Sequence, residues 1–118
     1  STLVPLIEEG IITGAKVNKE LRRIFDPIKH TTYDVIALGC THYPFIRKAL
    51  RIVVGDKAHI IDSSGAVARQ VQRILTMRND LSKGPARETF TTTGDAEKVQ
   101  AVFHQLLARQ KQITHVTL

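Results

Sequence analysis

A chain of 118 residues, 42% hydrophobic and 24% charged, is the size of one small globular domain. It holds no run near the ~20 apolar residues that a membrane span needs, and its single cysteine, Cys40, excludes an internal disulfide. The formal charge is +6, but the basic residues are scattered like solvated helix faces and aromatics make up only 5%, a pattern that disfavours nucleic acid.

Residues 3–9 read as a short helix with Pro5 in its first turn and Gly10 as its stop. From 14 to 29 the apolar positions Val17, Leu21, Ile24, Phe25 and Ile28 recur every three or four residues, which predicts a second helix ending near Asp26-Pro27. Asp34-Val35-Ile36-Ala37-Leu38 is a short apolar run closed by Gly39, the pattern of a buried parallel strand. Pro44 suits the first turn of a helix running to Val54 and stopped by Gly55, after which Ala58-His59-Ile60-Ile61 reads as a second buried strand. Asp62, Ser63 and Ser64 are N-cap candidates for a helix over 65–78, with Val67, Val71, Ile74 and Leu75 as its inner face. Helix and strand alternate, so the expected fold is α/β with a parallel sheet.

Turn and breaker residues cluster from Asn79 to Arg87. We therefore expect residues 1–80 as one α/β unit, 81–87 as a linker, and 88–118 as a β-α-β tail. That tail comprises a threonine-rich strand over 88–93, a turn at Gly94 with Asp95 as N-cap, an amphipathic helix to Gln110 and a strand over 113–118. Its strands alternate apolar and polar positions, unlike the solid runs before them, and are expected to pair away from the first sheet. The chain begins without methionine and on helix-forming sequence, which points to a longer parent; Ser1-Thr2-Leu3-Val4-Pro5 does not read as an export leader, and a reducing cytoplasm is the expected home.

Chemistry concentrates at the end of the first strand. Open parallel sheets bind ligands above the C-terminal ends of their strands, where Gly39-Cys40-Thr41-His42-Tyr43-Pro44 lies. A helix start and an imidazolium both favour thiolate over thiol, so a cysteine placed there can take or give a proton. Singly, a lone cysteine is usually a small buried hydrophobe and a lone histidine a satisfied polar group. Together at a strand end they favour function, with the reaction class left open by fold physics.

The run Leu38-Gly39-Cys40-Thr41-His42-Tyr43-Pro44, preceded by Asp34-Val35-Ile36, resembles the second cysteine motif of the glutamate racemases, within the aspartate/glutamate racemase family. Residues 4–10, Ile61-Asp62-Ser63 with Ala66-Val67-Ala68-Arg69-Gln70-Val71, and Thr92-Thr93-Gly94-Asp95 resemble the family's flanking segments in the right order. Ser63-Ser64-Gly65-Ala66 departs from it, since the family commonly has an acidic residue shortly after the glycine. The resemblance covers nearly the whole chain but only the later part of a family member.

It implies a three-layer, parallel-sheet domain of the racemase type, with a tail that packs on a missing first domain. It also implies a cofactor-independent, two-base proton transfer on glutamate, supplying D-glutamate for peptidoglycan in a bacterial cytoplasm. Inverting a stereocentre through a planar carbanion takes an acid/base group on each face, so one thiol cannot serve both. By resemblance Cys40 is one base, His42 assists its protonation state and substrate binding, Thr41 helps bind the amino-acid head group, and Glu8 is an auxiliary carboxylate near the histidine. Glu9 is the alternative to Glu8. The second thiol is expected in the missing domain, leaving this chain inactive alone, and unpartnered tail strands are expected to self-associate, swap or stay mobile.

Three other readings compete. An aspartate racemase shares the thiol chemistry, although the histidine two residues after Cys40 favours glutamate. A non-catalytic α/β module would use the basic charge to bind an anion or a protein, and a homodimer is open to either. A cysteine hydrolase is disfavoured because Cys40 and His42 are only two apart, and five dispersed histidines show no metal-ligand spacing.

Overall fold

The computed structural model describes residues 2–118. Helix α1 (Leu3–Glu8) buries Leu3 and Ile7, four residues apart and therefore on one face. It stops where Gly10 takes φ +78°, a left-handed conformation that lets Gly10 N–H reach Ile7 O and Ile11 N–H reach Leu6 O, both at 2.8 Å. Helix α2 (Ala15–Phe25) repeats the pattern with Val17 and Leu21 buried. It ends at Phe25, close to the Asp26-Pro27 stop expected, because Pro27 carries no N–H to continue the ladder and the chain tightens into a 3₁₀ turn over Asp26–Ile28.

Strand β1 (Val35–Leu38) pairs in parallel with β2 (His59–Asp62), Val35 opposite His59 and Leu38 opposite Asp62. Between them Pro44 starts not the α-helix itself but a 3₁₀ turn, Tyr43–Ile46, that delays α3 to Arg47–Val54. Ala49, Leu50 and Val54 form the buried face of α3, and Gly55 at φ +65° ends it. Arg51 then closes the α3–β2 connection by donating to the carbonyls of Gly55 and Ala58 at 2.8 and 2.9 Å.

One apolar cluster joins these pieces: Leu3 and Ile7 of α1, Val17 and Leu21 of α2, Ile46, Ala49, Leu50 and Val54 around α3, and Leu38 and Ile60 from the sheet. The α/β architecture with parallel strands is as the sequence predicts. The expected burial of the strands on both faces is not: Val35 and Ile61 are half exposed, because the helical layer covers one face only. Helix α4 (Ser64–Met77) departs further, with no buried residue at all. Of its predicted inner face, Val67, Val71 and Ile74 are exposed, Val67 by 57%, and Leu75 is only half-buried, while Met77 extends the stripe at 75%. The pattern of an amphipathic helix is present, while the surface it would cover is not among the described residues.

After residues without regular structure, β3 (Phe90–Thr92) and β4 (Ile113–His115) form a second parallel pair, joined by α5 (Ala96–Leu107). The Asp95 carboxylate caps α5 by accepting from Glu97 N–H and Lys98 N–H at 3.1 and 3.2 Å. Phe90 and Phe103 meet edge to face at 4.7 Å beneath the pair, and Gln100 Oε1 accepts from Ile113 N–H at 2.9 Å. Glu88 braces the returning strand through both Arg109 and Lys111. The strands are shorter than the 88–93 and 113–118 expected, since only three residues of each find partners in the ladder. The tail also touches the first unit, with Leu106 packed against its core and Gln105 bonded to Gly10.

Core and stripe should respond differently to truncation. Ile46→Val is expected to destabilise the chain by about 0.5–1.5 kcal/mol in urea unfolding. Val71→Ala should leave stability unchanged or slightly raised, because alanine is the better helix former and little packing is lost. Equal losses at both positions would mean that the α4 face is packed in solution.

Candidate functional site

Parallel pairing sends both strand ends to the same edge of the sheet. Leu38 is followed by the Gly39–His42 turn and Asp62 by the start of α4, so Cys40 and Ser64 emerge side by side. They line a recess of about 180 Å³ together with Leu38, Thr41, Pro44 and Ser63. Cys40 is half-buried and Thr41 exposed. The turn is held by its own backbone: Tyr43 N–H donates to Cys40 O at 3.3 Å and Phe45 N–H to His42 O at 3.1 Å.

All four of the site residues singled out from sequence, Cys40, Thr41, His42 and Glu8, converge here. His42 Nδ1 lies 3.8 Å from Cys40 Sγ and 3.4 Å from Thr41 Oγ1. Its other nitrogen, Nε2, lies 3.3 Å from Glu8 Oε1, with the His42 side chain 34% exposed and that of Glu8 62%. A carboxylate at Nε2 keeps the ring proton there in the neutral imidazole, so Nδ1 is left to accept from the thiol or the hydroxyl. Glu8, brought in from the end of α1, is the carboxylate that meets the ring.

Asp62 does more than the turn-capping its place in the sequence suggests. Its Oδ1 accepts from Ser64 N–H at 2.9 Å, and its other oxygen pairs with the Arg47 guanidinium, which also donates to Ile60 O at 2.7 Å. The carboxylate thus ties α3, the end of β2 and the start of α4 into one wall of the Cys40 recess. Arg47 carries no local sequence signal for this role, because the partner lies 15 residues away. The hydroxyl and amide of Ser64, then Arg47, hold the Asp62 carboxyl below its ordinary value of 3.8.

Beside the His42–Glu8 pair, α5 closes over the end of α1. A mostly apolar cavity of about 470 Å³ lies between them, lined by Glu8, His42 and Phe45 on one side and Val102, Phe103 and Leu106 on the other. Nothing local in the sequence brings residues 99–106 to the Cys40 segment; the contact is purely tertiary. Among the described residues no three His, Cys, Asp or Glu side chains come together as a metal site, and no helix is long and apolar enough to cross a membrane.

Comparison with known proteins agrees with the motif. A glutamate racemase of Ectopseudomonas mendocina (strain ymp) is 38% identical over 112 residues, which make up 94% of this chain and 43% of that protein. The glutamate racemase isoform RacE1 of Bacillus anthracis superposes on 99% of this chain and 44% of its own, with a TM-score of 0.85 at 25% identity. The Thermus thermophilus glutamate racemase, solved with beta-chloro-D-alanine, matches 99% of this chain and 45% of its own, with a TM-score of 0.78 at 32% identity. No family model matches. The chain therefore spans less than half the length of the curated relatives it matches.

The acid limb of stability should report the Asp62 clamp. A carboxyl whose folded value is lowered contributes stability above its unfolded value, and that contribution is lost as pH falls from there through the folded value. Glu20, Glu88 and Asp95 are lowered too, so Asp62→Asn is expected to flatten, not abolish, the fall of Tm between about pH 5 and pH 2. An acid limb unchanged by the substitution would show the clamp to be open in solution.

Proposed function

We propose that this chain, a relative of the glutamate racemases that spans less than half their length, supplies one of the two acid/base halves of a cofactor-independent glutamate racemase. The observation that carries the reading is the line of Cys40, His42 and Glu8 at the C-terminal edge of a parallel sheet.

Cys40 acts on one face of the α-carbon. As thiolate it removes the α-proton, leaving the bonding pair on carbon as a planar carbanion; as thiol it returns a proton from the same side when the reaction runs in reverse. His42 Nδ1 takes or restores the Sγ proton between turnovers, while Glu8 holds the opposite nitrogen. The Thr41 hydroxyl, next to the thiol and exposed at the recess, binds the amino-acid head group. Racemisation needs a second proton carrier on the opposite face, and the sequence holds one cysteine. That second thiol belongs to the portion of the enzyme that the longer relatives have and these residues do not include. The chain is accordingly inactive alone, and residues 88–118 find their further packing partners in that portion. The product, D-glutamate, would serve peptidoglycan synthesis in a bacterial cytoplasm.

Exchange of the α-proton of L- and D-glutamate in deuterated water tests the reading, with the chain alone and with a matching first domain added back. Exchange should appear only on reconstitution and vanish in Cys40→Ser. His42→Asn is expected to lower it by roughly 10²-fold, in the range of lost acid/base assistance. Glu8→Gln, which weakens a partly exposed ion pair, should cost only about two- to fivefold. A folded, reassembled protein that exchanges no glutamate would rule the reaction out.

A further inference from the structure

One polar contact ties α5 to the site across nearly the whole chain. Gln105 Nε2 donates to the Gly10 carbonyl at 2.7 Å, joining residues 95 apart in sequence. Gly10 is buried and left-handed, and a Cβ placed on it would overlap the Gln105 carboxamide. The backbone conformation favours glycine, and any Cβ there would push the carboxamide from its place on the Gly10 carbonyl. Through its own N–H, Gly10 is bound to Ile7 O in the last turn of α1, the turn that carries Glu8.

Glu8 and His42 are both partly in water, and such a pair has little intrinsic strength to hold its geometry. What fixes the end of α1 therefore fixes the pair. The other charged group facing His42 across the cavity is Lys98 of α5, whose ammonium is largely exposed and turned to Asp95 at 3.6 Å. Cys40 and Thr41 face the ring from its own turn.

We propose that Gln105 is a positioning residue for His42: by holding Gly10 it sets the end of α1, and with it Glu8, against Nε2, so that docking of the tail helix determines which ring nitrogen carries the proton. The inference rests on the reading of Cys40 and His42 as an acid/base pair. It adds that the tail, remote in sequence, sets the proton arrangement of the site.

The test is the tautomer of His42 in the 118-residue chain, read from its ring nitrogen shifts after labelling histidine with ¹⁵N and assigning the signal with His42→Gln. The Nε2–H form should predominate in the parent. Gln105→Glu keeps the length but removes the donor, and should lower the ratio of Nε2–H to Nδ1–H by about two- to fivefold, the effect of one hydrogen bond. Gln105→Leu should do the same without adding charge, while Gln105→Lys, which restores a donor of similar reach, should return the ratio toward the parent. Glu8→Ala should lower it at least as far as Gln105→Glu. Amide-exchange protection in α2 and α3 is expected at parental values throughout, so a general loss of fold is separable from a moved tautomer. A ratio unchanged in Gln105→Glu and Gln105→Leu overturns the proposal. If the ratio responds but a reconstituted enzyme exchanges no glutamate, the assigned reaction fails and the coupling stands; exchange without any response of the ratio removes the coupling alone.

Discussion

The parallel pairing of β1 with β2, Leu38 opposite Asp62, is the contact on which the site depends. Parallel strands bring both of their carboxyl ends to one edge, and each end must then turn away from the sheet. One turn carries Cys40 and His42, the other Asp62 and the first residues of α4. A slip of one residue by either strand would turn Leu38 or Ile60 from the core and open the apolar cluster that holds α1 in place. Because α1 delivers Glu8 to His42, the packing of Ile7 and Leu3 holds the geometry of the candidate site as well as the fold.

Two features fit the proposed reading of the chain as one half of a site. Chemically, on that reading, one thiol reaches one face of a substrate carbon. Physically, α4 presents an apolar stripe with nothing buried, and the outward positions of β1 and β2 are half exposed. Contiguous apolar surface of that kind marks an interface. Arg69 and Arg73 lie along α4, Arg78 follows its end, and the helix contains no acidic residue, so two α4 helices from separate copies would bring like charges together. The relatives that match are more than twice as long, and their additional length is the natural cover on the proposed reading.

The tail is a folded β-α-β unit with its own small apolar contact between Phe90 and Phe103 and its own ion pairs around Glu88. Its meeting with the first unit is modest: Leu106 against the core, Gln105 on Gly10, and an open cavity beside His42. A contact of this size holds an element in place without fixing it as firmly as the central cluster is fixed, and motions needed around a reacting centre are drawn from such elements.

Much of this was legible in the residues themselves. The solid apolar run before Gly39, the spacing of Val17, Leu21 and Phe25, and the Asp95 cap are local signals, set by strand and helix geometry over a few residues, and they appear as expected. So does the placement of Cys40 past a strand end, because the order of strand, turn and helix dictates it. Other features could not be read there. Whether Val67 and Val71 are buried depends on what lies opposite them, which helical periodicity does not contain. The reach of Arg47 to Asp62, of Glu8 to His42 and of Gln105 to Gly10 spans 15, 34 and 95 residues, and is fixed only when packing brings the elements together. Sequence determined the elements and the place of Cys40 because those follow from local geometry; tertiary structure decided the long-range partners around it, because pairing across such separations is set by the one arrangement that buries the core.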